Sequence, residues 1–301
     1  MTDLPPEAPG RLASRAFSSG LSVADFAACL QMGMRPVALV QGFCAMRWSW
    51  YGPGSMYTMS GYGGRSSWGT TLSSYRCPHG YVGAEHRVWG ENFEQRWIRQ
   101  AWHQGFDTAY QRMVEEARAA GAHGVIGVVD TSRSLVDRSI REFHIYGTAV
   151  VVDGSPAGPV WTSYLAGSRL AKLIESGFMP VAVVASMASV RMWAVCVTEY
   201  LMKGQSYGYG SVSGYPPGAY GGSGGEIGQM ADAQMQARRV ARDHARYDLG
   251  RDTLHGASLD VGQWEVGPGD LEVDCILRGT RVRRFRPADP LPPPRLTVPL
   301  T

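Results

Sequence analysis

The amino-acid sequence predicts an α+β protein built from two tandem copies of one domain. Two observations predict this fold class: a segment near the start recurs 144 residues later, and both copies show the same order of helix and strand signals. The length of 301 residues suits two domains of ordinary size. Because 44% of the residues are hydrophobic and 18% are charged, the chain has enough apolar side chains to form a core.

The repeat defines the domain boundaries. Near the start of the copies Gly33 matches Gly177, 144 residues away, whereas near their ends Thr148 matches Thr280, 132 residues away. The difference of 12 residues falls in a Gly-, Tyr- and Ser-rich stretch, and loops tolerate such changes in length. The predicted segments are an N-terminal extension at 1–15, a first domain at 16–153 with a Gly/Tyr-rich loop at 51–90, a second domain at 160–286 with a Gly/Tyr-rich loop at 203–225, and a Pro-rich tail at 287–301.

Each copy is predicted to begin with a short helix and a strand. In the first copy, Ser22 followed by Asp25 is typical of a helix start, and Gly33 marks the end of that helix. A Val-rich strand follows from Pro36.

A long helix follows the Gly-rich loop in each copy, and two strands close the copy. The apolar spacing predicts helices at about 91–120 and 226–247. In the first copy the closing strands are predicted at 125–130 and 142–152.

The apolar segment 179–202 is long enough to cross a bilayer, but the residues favour a buried strand. Arg191 lies near its middle, where a charge is unfavourable in lipid, and valine is frequent. We therefore predict no membrane span.

Two motifs in the first copy carry a family resemblance. The segments EEARAAGAHGVIGVVD at 115–130 and IYGTAVVV at 145–152 resemble the signature of the YbjQ-like family, which is labelled a heavy-metal-binding domain. The second copy keeps the layout and diverges in sequence. The matching positions are Gly121, Ala122, Val125, Gly127, Gly147, Thr148, Ala149 and Val150.

The resemblance implies two tandem dodecin-like domains, each with a curved antiparallel sheet packed on one long helix. It also implies a ring-forming homo-oligomer, with a pentamer favoured. The family motif has a structural interpretation, because Gly121 stands where a helix ends, and glycines within strands such as Gly127 and Gly147 mark bulges or close approaches.

Charge, cysteines and motifs exclude several classes of function. The net charge of +3 is too small to indicate a nucleic-acid partner. The five cysteines are far apart and include no CxxC pair, and the start of the chain carries no secretory signal, so a reducing cytoplasm is expected. Because no catalytic motif occurs and Cys77 beside His79 is an isolated pair, we predict that the protein is not an enzyme.

A metal site is the speculative alternative to a purely structural role, and no other cofactor is indicated. His123 and His255 are equivalent when the copies are aligned at 132 residues, so a ring could bring such histidines together. A polar histidine in a turn explains both residues equally well.

The remaining features point to contacts with other proteins. Trp97 and Trp102 are expected at a domain or subunit contact, because the first long helix carries aromatic residues on more than one side. The Gly/Tyr-rich loops and the Pro-rich tail are candidate partner sites, and the basic segment 281–286 is expected to be a solvated edge strand. The sequence therefore predicts a self-assembling scaffold or interaction module, with metal or small-ligand binding at domain or subunit interfaces as the alternative.

Overall fold

The fold is taken from a computed structural model of the chain. It describes residues 10, 18–47, 92–135, 140–156, 158–192, 228–267 and 270–286. The predicted loops at 51–90 and 203–225, the tail at 287–301 and nearly all of the extension at 1–15 lie outside the described residues.

Apart from one short strand in each half, the described elements follow the same order twice. We call residues 18–152 the first half and residues 161–286 the second half. The elements are α1 Val23–Gln31, β1 Met34–Arg47, β2 Asn92–Glu94, α2 Arg96–Ala119, β3 Gly124–Leu135, β4 Ile140–Val152, β5 Trp161–Thr162, α3 Gly167–Glu175, β6 Phe178–Met192, α4 Gly228–Leu249, β7 Thr253–Gly267 and β8 Asp270–Arg284.

Two four-stranded sheets, whose three long strands share one topology, confirm the α+β class. Sheet A has the strand order β1-β4-β3-β5, and sheet B has the order β2-β6-β8-β7. The three long strands of each sheet are antiparallel, with the last strand of each half in the middle. Each sheet also receives one short strand from the other half, β5 in sheet A and β2 in sheet B.

Irregularities in the strands fall at matching places. The pairing of β1 shifts between Pro36 and Ala38, and the pairing of β6 shifts between Pro180 and Ala182. A further bulge lies in the first strand after each long helix, at Gly127 in β3 and at Gly256 in β7. Both glycines have a positive φ. Glycine is favoured at such bulges because it adopts a positive φ without steric strain.

The long helices lie against the sheets. Helix α2 contacts β1 and β4 of sheet A and also β6 of sheet B, whereas α4 contacts β6 and β8 from the other side of sheet B. Helix α4 buries an alanine at every fourth position from 233 to 245, so its backbone approaches the sheet closely. Helix α2 therefore lies between sheet A and β6, and α4 packs on the other face of β6 and β8.

The predicted start of the first helix is confirmed. The Ser22 side chain accepts from the Asp25 N–H at 3.1 Å, and its hydroxyl donates to the Asp25 carboxylate at 2.8 Å. Gly33, two residues past the end of α1, has φ +70 as a glycine at a helix end does. The two long helices are confirmed: α2 begins five residues later than predicted, and α4 is described from Gly228 onward.

The apolar segment at 179–202 is a strand through Met192, and its remaining residues lie outside the described part. No helix among the described residues is both long and apolar enough to cross a membrane.

The expectation that the basic segment 281–286 forms an edge strand is wrong. Its residues up to Arg284 belong to β8, which lies between β6 and β7 and is paired on both sides. The arginines are accommodated in a central strand because Asp252 binds them, with Arg283 at 2.9 Å and Arg281 at 3.6 Å. The sequence pattern shows the charges but not the acceptor that neutralises them.

Gly42 is the position where α2 approaches sheet A most closely, and its substitution tests that packing. A Cβ at Gly42 would run into the backbone carbonyl of Ala109, whereas nothing lies near a Cβ added at Gly158. We expect Gly42→Ala to lower the free energy of unfolding by about 1 to 3 kcal/mol, because overpacking forces the helix away from the sheet. Urea unfolding measures this change. An equal loss in the control Gly158→Ala would contradict the close approach.

Candidate functional site at the contact between the two halves

The second half adds a strand to the first half. We call residues 161–165 the second leading segment, because they precede the first helix of the second half. The Ser163 N–H donates to the Val125 carbonyl at 2.9 Å, and the Ser163 carbonyl accepts from the Val128 N–H at 3.0 Å. The Gly127 N–H donates to the Leu165 carbonyl at 3.1 Å. The bulge in β3 therefore directs two N–H groups towards the other half.

A threonine in the middle strand of sheet B fixes this leading segment. The buried Thr280 Oγ1 accepts from the Tyr164 N–H at 3.1 Å and lies 3.4 Å from the Ser163 hydroxyl. The Ser163 hydroxyl oxygen in turn accepts from the Leu165 N–H at 3.0 Å. One Ser–Thr pair thus sets the path of the chain into the second half.

The same arrangement occurs at the start of the first half. We call residues 18–22 the first leading segment. Thr148 Oγ1 accepts from the Gly20 N–H at 3.1 Å and lies 3.3 Å from the Ser19 hydroxyl, whose oxygen accepts from the Leu21 N–H at 3.1 Å. Thr148 belonged to the predicted family motif, and its role here is to hold this segment.

Residues of the first half, together with Thr162 of the second leading segment, cover the outer edge of β6. The Val183 N–H donates to Thr162 Oγ1 at 2.8 Å, and the Met187 N–H lies 3.5 Å from His103 Nε2. Further along, the Gln95 N–H donates to the Ser189 carbonyl at 2.8 Å, and β2 pairs with the end of β6. Because an unpaired strand edge invites association, this covering closes one side of sheet B.

A charged cluster joins the two halves. Arg278 of β8 contacts the Asp130 carboxylate of β3 at 2.7 Å and the exposed Asp260 carboxylate at 2.6 Å. The side chain of Asp130 is only 4% exposed. Burial raises the pKa of the neighbouring Tyr164 well above its usual value, and the carboxylate of Asp130 acts in the same direction.

Two further polar contacts lie at the other end of β8. Arg141 of β4 is 3.9 Å from Asp274, and Gln95 donates to Glu272 at 2.8 Å. Burial lowers the pKa of Arg141, while the two acidic residues oppose that effect. The contact between the halves therefore combines paired strands with buried charge pairs.

The aromatic residues of α2 lie in the core at this contact. Trp102 is fully buried, stacks with Phe106 and meets Phe143 edge-on. The same apolar cluster includes Met187 of sheet B, and the partly buried Trp97 packs against it. Whether either tryptophan also meets another subunit stays a prediction.

An open cleft of about 500 Å³ lies between α2 and α4. Burial lowers the pKa of His103, and burial together with Asp248 raises the pKa of Asp107. The sequence analysis missed this cleft, because its residues come from two distant helices. The cleft is lined by Arg99, Gln100, His103, Gln104, Asp107, Thr108, His244 and Asp248.

The expected equivalence of His123 and His255 is wrong. In β7, His255 pairs with Thr280, and in β3, Ile126 pairs with the equivalent Thr148. His255 therefore corresponds to Ile126 and not to His123. The two strands therefore correspond at a distance of 129 residues, three fewer than the spacing between Thr148 and Thr280. His123 Nδ1 accepts from the Val152 N–H at 3.0 Å, which is a structural role, whereas His255 is exposed.

Neither histidine belongs to a metal cluster in the described part of the chain. There, no group of three or more His, Cys, Asp or Glu side chains is arranged to hold a metal ion. The described cysteines at 29, 44 and 275 are buried and free. Burial raises the pKa of Cys275 to about 11, so its thiol is a poor metal ligand or nucleophile.

The other motif residues have packing roles. Gly121 has φ +69 just after α2, and Ala122 and Val125 are buried in the core between α2 and sheet A. A Cβ at Gly147 would lie 2.6 Å from the Val125 side chain, so this glycine permits a close approach.

Comparison with known proteins agrees with the resemblance over part of the chain. Residues 91–153 match the YbjQ-like family model described as "Putative heavy-metal-binding". Over 303 residues the chain is 26% identical to an encapsulin nanocompartment protein of Mycobacterium tuberculosis. That similarity covers 97% of this chain and 96% of the relative.

The buried charge pair between the halves gives the first prediction for this contact. We expect Asp130→Asn to lower the free energy of unfolding by about 3 kcal/mol, because Arg278 would keep a largely buried charge without its buried partner. The control Asp260→Asn removes the other carboxylate, which is 69% exposed, and should cost about 0.5 kcal/mol or less. Chemical denaturation at neutral pH measures both, and equal effects would contradict a buried pair.

The cleft gives a prediction of pH dependence. Since the pKa of His103 is lowered by burial, below about pH 6.5 the unfolded chain binds a proton that the folded chain does not. Stability should therefore fall as pH decreases through 6.5, by up to about 1.4 kcal/mol per pH unit. Asp248 on α4 raises the pKa of His103, whereas Arg99 and His244 lower it further.

His103→Gln keeps an acceptor for the Met187 N–H and should flatten this pH dependence, whereas His255→Gln should leave it unchanged. Asp107 acts in the opposite sense but at lower pH, since its raised pKa starts from about 3.8. Urea unfolding between pH 5.5 and 7.5 provides the measurement. An identical slope in wild type and His103→Gln would show that His103 does not contribute.

Proposed function

We propose that this chain is a non-enzymatic, self-assembling cytoplasmic protein made of two YbjQ-like domains in tandem, and that copies of it form a ring that acts as a scaffold or interaction module. One observation carries the proposal: the contact between the halves is head-to-tail. The first half offers the edge of β3, and the second half supplies the leading segment that binds it. Similar units joined through unlike surfaces continue to add, and they form a ring when the rotation between neighbouring units closes.

The corresponding surfaces at the two ends of the chain support this proposal. Strand β7 corresponds to β3, yet it forms the edge of sheet B among the described residues. The residues of β7 that correspond to the buried 124–126 of β3 are 253–255, of which Thr253 and His255 are exposed and Leu254 is partly buried. Strand β7 thus has an edge that corresponds to the strand-binding edge of β3, and no described segment pairs with it.

The similarities to known proteins agree with assembly. The relative is named as an encapsulin nanocompartment protein, and the similarity extends over nearly all of both chains. We carry over to this chain the general property, assembly into a larger structure. The resemblance to ring-forming YbjQ-like proteins favours five chains.

Ligand binding is the second candidate function, and the cleft between α2 and α4 favours it. The cleft combines two histidines with two aspartates and an arginine at the contact between the halves. Because no group of side chains in the described part is arranged to hold a metal ion, the expected ligand is a small polar molecule, and native mass spectrometry of the purified protein tests for it. A stoichiometric ligand that is lost in His103→Ala/His244→Ala and kept in His123→Ala would support this role, and protein that carries no bound ligand would contradict it.

Native mass spectrometry and analytical ultracentrifugation at micromolar concentration test the assembly. We expect a single closed species that contains several chains, because a head-to-tail contact that closes has a fixed number of subunits. A monomer under both methods, with the far-ultraviolet circular dichroism of a folded protein, would contradict the proposal.

A further inference from the structure

The hydrogen bonds around the bulge of β3 predict the corresponding bonds at β7. Val125 and Val128 of β3 correspond to Leu254 and Ala257 of β7, because the bulges and the pairing to the middle strands coincide. In β3 these positions bind the second leading segment through Ser163. The corresponding residue of the first leading segment is Ser19, since Ser19 and Ser163 hold their threonines in the same way.

We infer that the first leading segment of a second copy adds to β7 as a parallel strand. This inference rests on the proposed self-assembly and names the surfaces that meet. The Ser19 N–H of one copy donates to the Leu254 carbonyl of the next, and the Ser19 carbonyl accepts from the Ala257 N–H. The Gly256 N–H donates to the Leu21 carbonyl, completing the pattern that Gly127 makes with Leu165.

The side chains around the two glycines fit this arrangement. A Cβ at Gly127 would lie 3.5 Å from Leu21 of its own half and 3.2 Å from Ala166 of the other half. At Gly256 the corresponding contact with its own half is present, with Leu165 at 3.5 Å. No described residue of another half lies against Gly256 as Ala166 lies against Gly127. Ser22 corresponds in sequence to Ala166, so Ser22 of a second copy would take that place.

The first leading segment is also placed to reach another copy. Thr148 holds it on the surface of the first half, and its backbone bonds to that half leave the Ser19 N–H without a partner among the described residues. Ser18 and Gly20 are exposed. The segment therefore presents an extended backbone that is already ordered, so little conformational entropy is lost when it binds an edge strand.

Engineered disulfides test the register. Val125 pairs with Thr162 across the contact between the halves, so the proposed partners in two copies are Leu254 and Ser18. In a background with Cys77 and Cys196 changed to Ser, we expect Ser18→Cys/Leu254→Cys to form covalent multimers on mild oxidation. The control Ser18→Cys/Val261→Cys should not cross-link, because Val261 lies about 23 Å further along β7, beyond the reach of a disulfide.

The cross-linking result separates this inference from the proposed function. If the wild-type protein is an oligomer but the Leu254 variant does not cross-link, or the control cross-links equally well, the register is wrong while self-assembly stands. If the wild-type protein is a monomer and neither pair cross-links, both are wrong. Multimers specific to the Leu254 pair support both.

A pair of substitutions at Ser19 isolates the backbone hydrogen bond. Ser19→Ala and Ser19→Pro both remove the hydroxyl that contacts Thr148, but only proline also removes the N–H. We expect Ser19→Pro to weaken assembly at least tenfold more than Ser19→Ala, as sedimentation over a dilution series measures. Equal dissociation of the two folded variants would contradict strand addition through Ser19.

Discussion

Helix α2 carries apolar side chains on two faces, and the need to cover both determines how the halves are arranged. Sheet A covers one face, where Trp102 meets Phe143. Strand β6 of sheet B covers the other and contributes Met187 to the same cluster. Burial of apolar surface contributes about 25 cal/mol per Å² to stability. Because Met187 of the second half lies in the same buried cluster as Trp102, the second half completes the apolar core of the first half.

The position of α2 between sheet A and β6 determines which strand edges are covered. Because α2 lies against β6, its residues and those just before it are close enough to bind the backbone of that edge strand, as His103 and Gln95 do. Helix α2 also protects β1, where Glu116 accepts from the Gln41 N–H at 2.7 Å and Arg112 donates to the Phe43 carbonyl. One helix therefore covers an edge in each sheet, whereas α2 does not reach β7, and no strand among the described residues pairs with the outer edge of β7.

The sequence predicted local structure well, because its signals there are local. The capping pair at Ser22 and Asp25, the glycine after α2 and the repeat of Gly-Thr in the middle strands all depend on neighbouring residues. The failures concern distant partners. The pairing of Asp130 with Arg278 joins residues 148 positions apart, and nothing near either residue indicates the other.

The error over His123 and His255 has a related cause. Two equal Ala/Leu-His-Gly patterns suggested an alignment, yet the bulge glycine, not the histidine, fixes the register of the strand. A positive φ cannot move along the chain without strain, whereas a turn histidine can. The alignment that keeps Gly127 with Gly256 shifts the histidines apart, and it also shows which backbone groups of β7 correspond to those that bind in β3.

The two ends of the chain differ in one respect that affects how copies would bind each other. The face of α4 away from sheet B is mainly charged, with Asp232, Arg239 and Arg246 exposed, and Met235 is the large apolar side chain exposed among them. A second copy bound at β7 would therefore not bury an apolar helix face like that of α2. Its attachment would depend mainly on the hydrogen bonds of an added strand, which each contribute only about 1 kcal/mol. In such an assembly the contact between chains would be weaker than the contact between the halves of one chain, so the assembly would form from, and dissociate into, folded single chains.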